Sequence, residues 1–234
     1  SDFTIHSSKL KRLLKSNKLE IAMAQHSIQV KDQIFEITEK TQKQKTTSTH
    51  VLVVFSNPKG SAPLALGRED RVIRQCIERS KFHDNIKLTI MHATTIDDLA
   101  RALLEQEYHI VQFSGHGTGQ GLEFESDRGD LIIVPQKALS ELLSTHSPPL
   151  KCVILNACYS DIHKKYLETR VPYSIVMNGP ISDEGTIEFS RGFYDAIGAG
   201  KSINFAYQEG YRRIMLKGFE YRVFPKLYEK SEYR

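Results

Sequence analysis

The sequence predicts an α/β fold with a mostly parallel central sheet, helices on both of its faces and a long helix preceding it. Three observations predict this. Short continuous apolar runs, such as Val51-Leu-Val-Val-Phe55 and Cys152-Val-Ile-Leu155, recur along the chain, and strands apolar on both faces belong in a parallel sheet that is covered on both sides. Segments with apolar residues at helical spacing separate those runs. A length of 234 residues, 40% hydrophobic, also suffices to bury one core of ordinary size with some chain left for an appendage.

Taken in order, residues 8–44 contain neither Gly nor Pro, and Leu10, Leu14, Ile21, Ala24, Ile28 and Phe35 recur at intervals that suit one face of an amphipathic helix or weak coiled coil. Asn17 and Lys31 interrupt that seam. Such a helix packs on its own domain, on a missing upstream one, or on a partner. The polar stretch Thr46 to His50 reads as a linker, so the expected organisation is an extension over 1–46 and a main domain over 47–234. The run Val51–Phe55 reads as a buried strand ended by the turn signal Asn57-Pro-Lys-Gly60. Helix is expected at 67–80, strand at 86–91, helix at 95–105 and strand at 109–113. A weak hairpin around 122–133, a helix at 135–144 and strands at 152–155 and 173–177 follow. Helices at 184–198 and 201–214 complete the reading.

Composition narrows the function. Residues 1–46 hold nine Lys/Arg against five Asp/Glu, while 47–234 hold 23 of each, so the main body is neutral. A nucleic-acid face needs concentrated Lys/Arg around aromatic platforms, so no nucleic-acid partner is expected. With no apolar run of about eighteen residues and no signal-peptide order at the N-terminus, we expect a soluble, cytoplasmic protein without a membrane partner. A start at Ser1 rather than Met suggests further sequence upstream. Three cysteines, Cys76, Cys152 and Cys158, without a C-x-x-C pair argue against a disulfide framework and a structural zinc site. Cys152 and Cys158 flank a strand that spans about 20 Å, so bridging them would destroy it. No metal or cofactor is expected.

In parallel sheets, chemistry sits on loops beyond the carboxyl ends of central strands. Two loops qualify. The first, Phe113-Ser-Gly-His-Gly-Thr-Gly-Gln-Gly121, lacks the G-x-G-x-x-G order and any following Gly-Lys-Ser/Thr of a phosphate cradle. Its glycines instead leave the backbone around His116 open to close approach. The second, Leu155-Asn-Ala-Cys-Tyr-Ser160, leaves Cys158 at a strand tip. A lone His is usually structural and a Cys after a strand usually buried. Here they fall 42 residues apart at the ends of what should be neighbouring strands.

The segments His109-Ile-Val-Gln-Phe-Ser-Gly-His-Gly117 and Cys152-Val-Ile-Leu-Asn-Ala-Cys-Tyr-Ser160 resemble the CHAT-domain branch of the caspase-like, clan CD cysteine peptidases. Val51–Pro58, Ile181–Asp183, Phe189–Tyr194 and Gly200–Ser202 add to the likeness, which spans about residues 50–212 and leaves the N-terminal helix and the tail after Gly218 unexplained. Caspases likewise place their His roughly 50 residues before the Cys. The resemblance implies a caspase-like three-layer sandwich and a His-Cys dyad acting on protein substrates. It also implies service as a triggered effector of a prokaryotic defence or signalling system.

The chemistry of such a dyad is direct. A free thiol with pKa near 8.5 is only a few per cent thiolate at neutral pH, so a neighbouring imidazole must take its proton, and His has the suitable pKa. The tetrahedral oxyanion then needs aimed donors, each worth about 3–4 kcal/mol. The resemblance nominates the backbone amides of Gly117 and Cys158 for that role. Asp161, three residues past Cys158, suits the first turn of a helix better than a third catalytic position, and His163 reads as a surface residue. Asp183 and Glu184 follow the strand at 173–177, and the resemblance to relatives specific for basic residues implies that a carboxylate there floors the S1 pocket and favours Arg or Lys at P1. The same pair equally suits the start of the following helix. A catalytically silent CHAT-fold binding module is the alternative reading, and residues 8–44 are the expected contact for a regulatory partner.

Overall fold

The computed structural model describes residues 48–158, 160, 167, 170–177, 179, 182–218 and 225–230. The helix expected over 8–44 lies outside the described residues, as do Asp161 and His163.

Six strands form the central sheet, and the reason is visible in their side chains. In β1 (Thr49–Phe55), Val51, Val53 and Phe55 enter one core while Leu52 and Val54 enter the other. A strand buried this way on both faces has no solvent side and must lie inside the sheet. The same division holds in β3 (Ile110–Ser114), β7 (Cys152–Asn156) and β8 (Tyr173–Met177), where Ile110, Cys152, Ile154 and Ile175 oppose Val111, Val153, Leu155 and Val176. With β2 (Ile86–Met91) and β9 (Pro225–Glu229), the order is β2-β1-β3-β7-β8-β9. All neighbours run parallel except β8 and β9.

One face is covered by α1 (Leu66–Glu78), α4 (Asp183–Gly198) and α5 (Ile203–Leu216), which supply Val72, Ile73, Phe189, Phe193, Tyr194 and Ile214 to the core. Helices α4 and α5 approach closely because they meet at glycines: a Cβ on Gly210 would lie 2.6 Å from the Phe189 ring. The opposite face is covered by α2 (Ile96–Glu105) and α3 (Gln136–Thr145) through Leu99, Leu103, Leu139 and Leu143. Helix α2 begins at a capping box in which Thr95 Oγ1 accepts from the Asp98 amide and Asp98 accepts from the Thr95 amide.

The hairpin expected around 122–133 is a small antiparallel sheet of β4 (Gly117–Thr118), β5 (Gly121–Glu125) and β6 (Leu131–Pro135). Its Leu122, Phe124 and Val134 close the second core. The fold is therefore the expected α/β sandwich with a mostly parallel sheet. The strand β9 falls in the tail for which the sequence carried no expectation; it pairs Leu227 with Ile175 along an otherwise open edge. Among the described residues, no helix is long and apolar enough to cross a membrane.

Candidate active site

The site begins where β3 and β7 end. These strands are adjacent, parallel and paired Ser114 with Asn156, so the chain leaves both at the same level, and Gly115 N–H still donates to Asn156 O at 3.3 Å. His116 and Cys158 follow two residues after the paired positions. Parallel strands in register bring these two residues, distant in sequence, to one edge of the sheet.

Glycine is what lets the two loops touch. A Cβ on Gly117 would meet the Cys158 carbonyl oxygen far inside van der Waals contact and the Ala157 Cβ at 3.2 Å; one on Gly115 would lie 2.6 Å from Ser56 O. Only glycine admits these approaches.

His116 is half-buried, and its Nε2 lies 2.7 Å from the Ala62 carbonyl oxygen. A carbonyl oxygen only accepts, so Nε2 carries the proton and donates it. In the neutral ring this leaves Nδ1 as the basic nitrogen. The loop from β1 to α1 that supplies Ala62 is itself anchored. Asn57 N–H donates to Glu125 at 3.0 Å, Ser61 Oγ donates to Glu123 at 2.8 Å, and Ala65 N–H donates to Asp183 Oδ2 at 2.7 Å.

Cys158 is a free, half-buried thiol, whereas Cys76 and Cys152 are free and buried. Burial pushes the Cys76 thiol up to about 12, and the fully buried Cys152 thiol is also pushed well up. The chain just past Cys158 is held by Ser160, whose Oγ donates to Leu155 O at 2.8 Å and accepts from Met177 N–H at 2.7 Å. That hydroxyl ties the Cys158 loop to the ends of both β7 and β8.

His116 and Cys158 line one cleft with Leu64, Glu69, Asn156 and Asp183, and among the described residues no lysine or arginine is in its lining. Its empty space, open to solvent, is about 400 Å³. Beneath lies Glu69, only 2% exposed. Its Oε1 accepts from Ser190 Oγ at 2.7 Å, Gln112 Nε2 at 2.8 Å, Ser114 Oγ at 3.1 Å and Asn156 Nδ2 at 3.1 Å. Burial pushes the Glu69 carboxyl above the usual carboxylate range while those four donors pull it back. The four hydrogen bonds offset only part of that push, so the carboxyl stays above its ordinary range. Among the described residues, no group of three His, Cys, Asp or Glu is arranged to hold a metal ion.

The expected specificity carboxylates occupy different surroundings. Ser182, not Asp183, caps α4 by accepting from Gly185 N–H at 3.1 Å. Asp183 lines the cleft while its Oδ2 holds Ala65. Glu184 stands on the exposed surface, 3.4 Å from Arg68 Nη1.

The model of the CHAT domain family matches residues 9–218, a span that begins inside the N-terminal segment and contains both site loops. The chain belongs to the CHAT domain family. A curated relative described as a probable protease, from Gillisia limnaea, is 23% identical over 150 residues, which is 63% of this chain but 26% of the relative. The CHAT chain thus spans about a quarter of that protein's length. Among solved structures, an inactive zymogen C11 protease from Parabacteroides distasonis aligns with a TM-score of 0.50 at 15% identity, covering 71% of this chain and 58% of that one. The Drosophila initiator caspase Dronc aligns with a TM-score of 0.49 at 8% identity, covering 80% and 81%. The fold of this CHAT domain is similar to that of the C11 protease.

Four residues at the site had no role in the sequence reading: Ala62 and Glu69, and also Asn156 and Ser160, which stood there only as parts of the Cys158 motif. Glu69 did leave a signal. It falls on the apolar face of α1, one turn before Val72 and Ile73, and a carboxylate on a buried helical face is held there by partners from elsewhere. Ala62 left none, because it acts through its backbone.

Proposed function

We propose that this CHAT domain is a cysteine endopeptidase that cuts protein substrates after Arg or Lys and uses no cofactor. His116 takes the Cys158 thiol proton, and the thiolate attacks the scissile carbonyl carbon. The oxyanion is received by the amides of Gly117 and Cys158. Collapse expels the amine, protonated by His116, and water then releases the acyl group from sulfur with His116 again as base. The observation that carries this reading is the single cleft lined by both His116 and Cys158, with His116 oriented through its Nε2 bond to Ala62. The carboxyl groups of Glu69 and Asp183, in a lining that among the described residues holds no lysine or arginine, support a basic P1 side chain.

Alkylation tests the dyad. At pH 7.5, iodoacetamide should label Cys158 at least about 100-fold faster than Cys76 or Cys152, whose burial suppresses the thiolate. His116→Ala should slow Cys158 alone. Equal rates at all three thiols would favour a catalytically silent binding module.

The same reading makes the domain a triggered cytoplasmic effector of a prokaryotic defence or signalling system, with residues 8–44 engaging a regulatory partner. What supports that role is the apolar seam from Leu10 to Phe35. Removing residues 1–46 should alter oligomeric state or partner response, read by light scattering, and leave Cys158 alkylation within about threefold. Loss of all Cys158 reactivity would make the segment part of the catalytic domain instead.

A further inference from the structure

The proposed reading leaves open which group meets the P1 side chain, and the cleft floor supplies an answer different from the two carboxylates suggested by sequence position. Glu69 and Asn156 are 2% and 3% exposed, and both line the cleft beside Cys158. All four described partners of Glu69 donate to Oε1, and among the described residues no Lys, Arg or His pairs with it. A buried carboxylate is normally paired with a cation. Asn156 completes the arrangement. Its Nδ2 is spent on Glu69 Oε1 and on Ser190 Oγ at 3.2 Å, and its buried Oδ1 has no hydrogen-bond partner. Turning the amide over would set Oδ1 against the carboxylate, so the network fixes the orientation. The floor therefore presents a carboxyl group whose Oε2 takes none of those four bonds, next to an Asn156 carbonyl oxygen without a partner. Asp183, by contrast, already gives Oδ2 to Ala65 N–H and so holds the loop that orients His116.

We propose that Glu69 and Asn156 read the substrate's P1 residue, with the Glu69 carboxylate and Asn156 Oδ1 receiving the N–H donors of an arginine guanidinium. This rests on the peptidase reading above, because P1 is the residue whose carbonyl Cys158 attacks. Arginine fits better than lysine, since its planar fork carries five donors and satisfies two acceptors at once. A neutral isostere leaves the carboxylate unpaired, and sites built on buried polar groups discriminate strongly for that reason. Asp183 and Glu184 then act on the cleft mouth and surface rather than on specificity.

The test uses the full chain and peptidyl acyloxymethyl ketones that differ only at P1, carrying Arg, its uncharged isostere citrulline, or Leu, with the adduct at Cys158 counted by mass spectrometry. The wild type should react with the Arg probe at least about 100-fold faster than with the citrulline probe. Glu69→Gln should bring that ratio below about 5 while Leu labelling stays within about threefold. Asp183→Ala should retain most of the ratio. An equal loss of all three probes in folded Glu69→Gln would mean that Glu69 only supports the loops, and would overturn the proposal, as would an unchanged ratio. If Glu69→Gln does not fold, Asp183→Ala decides, because among the described residues Asp183 is the other carboxylate in the lining: a retained Arg preference supports Glu69 and a lost one overturns it. A wild type that prefers Leu refutes the specificity alone. A wild type in which no probe reaches Cys158 refutes the peptidase reading and the inference with it.

Discussion

Cys158→Ala and His116→Ala are each expected to lower peptide-bond cleavage by about 10⁴-fold or more while leaving the domain folded. The magnitude follows from the roles: without the sulfur there is no nucleophile, and without the imidazole the thiol stays mostly protonated. Groups that act as a unit also fail together, so the double variant should be little worse than either single one. Both residues are half-buried on loops past the strand ends, outside the two cores, so each substitution should cost about 1 kcal/mol of stability or less. Cys152→Ala is the control. Cys152 is fully buried in the first core, and removing its sulfur should cost about 1–2 kcal/mol with cleavage within a few-fold of wild type. Digestion of an unfolded protein substrate, read beside thermal denaturation, checks all four variants. Turnover within tenfold of wild type by either folded single variant would remove the mechanism.

Gly117→Ala should lower kcat/KM by at least about 100-fold. The added Cβ has to displace the Cys158 carbonyl or the His116 loop, since it meets that oxygen and lies 3.2 Å from Ala157 Cβ. Moving either loop by about 1 Å misaligns proton transfer and the amide nominated for the oxyanion, and misplacement on that scale costs about 100-fold. Gly119→Ala separates this from a general effect on the loop. Nothing lies within 4 Å of a Cβ at Gly119, so that variant should stay within about threefold of wild type. Steady-state kinetics on a peptide with Arg at P1 compare the two. Full activity in Gly117→Ala would show that the loops do not depend on their close approach.

Sequence patterning carried the layers because burial writes itself into residue choice. The runs Val51–Phe55 and Cys152–Leu155, apolar at every position, are inexpensive only inside a sheet covered on both sides. The spacing of the two motifs also led to neighbouring strands, and the register pairs Ser114 with Asn156. Strand β9 was illegible for the opposite reason. Pro225-Lys-Leu-Tyr-Glu229 is short and holds a proline, so it becomes a strand only through the edge that β8 offers.

What the sequence by itself determined is the α/β layering and the two loops that carry His116 and Cys158, since both follow from local residue pattern. What only the tertiary structure decided is how those loops are held and what faces the cleft. The Ala62 carbonyl behind His116 is a backbone group without residue identity. Ser160 acts by tying two strand ends. The convergence on Glu69 brings Gln112 and Ser114 from β3, Asn156 from β7 and Ser190 from α4 onto one oxygen of α1. Such a carboxylate is stable only when elements distant in the chain supply its donors together, so its place at the cleft floor emerges from packing and not from any motif.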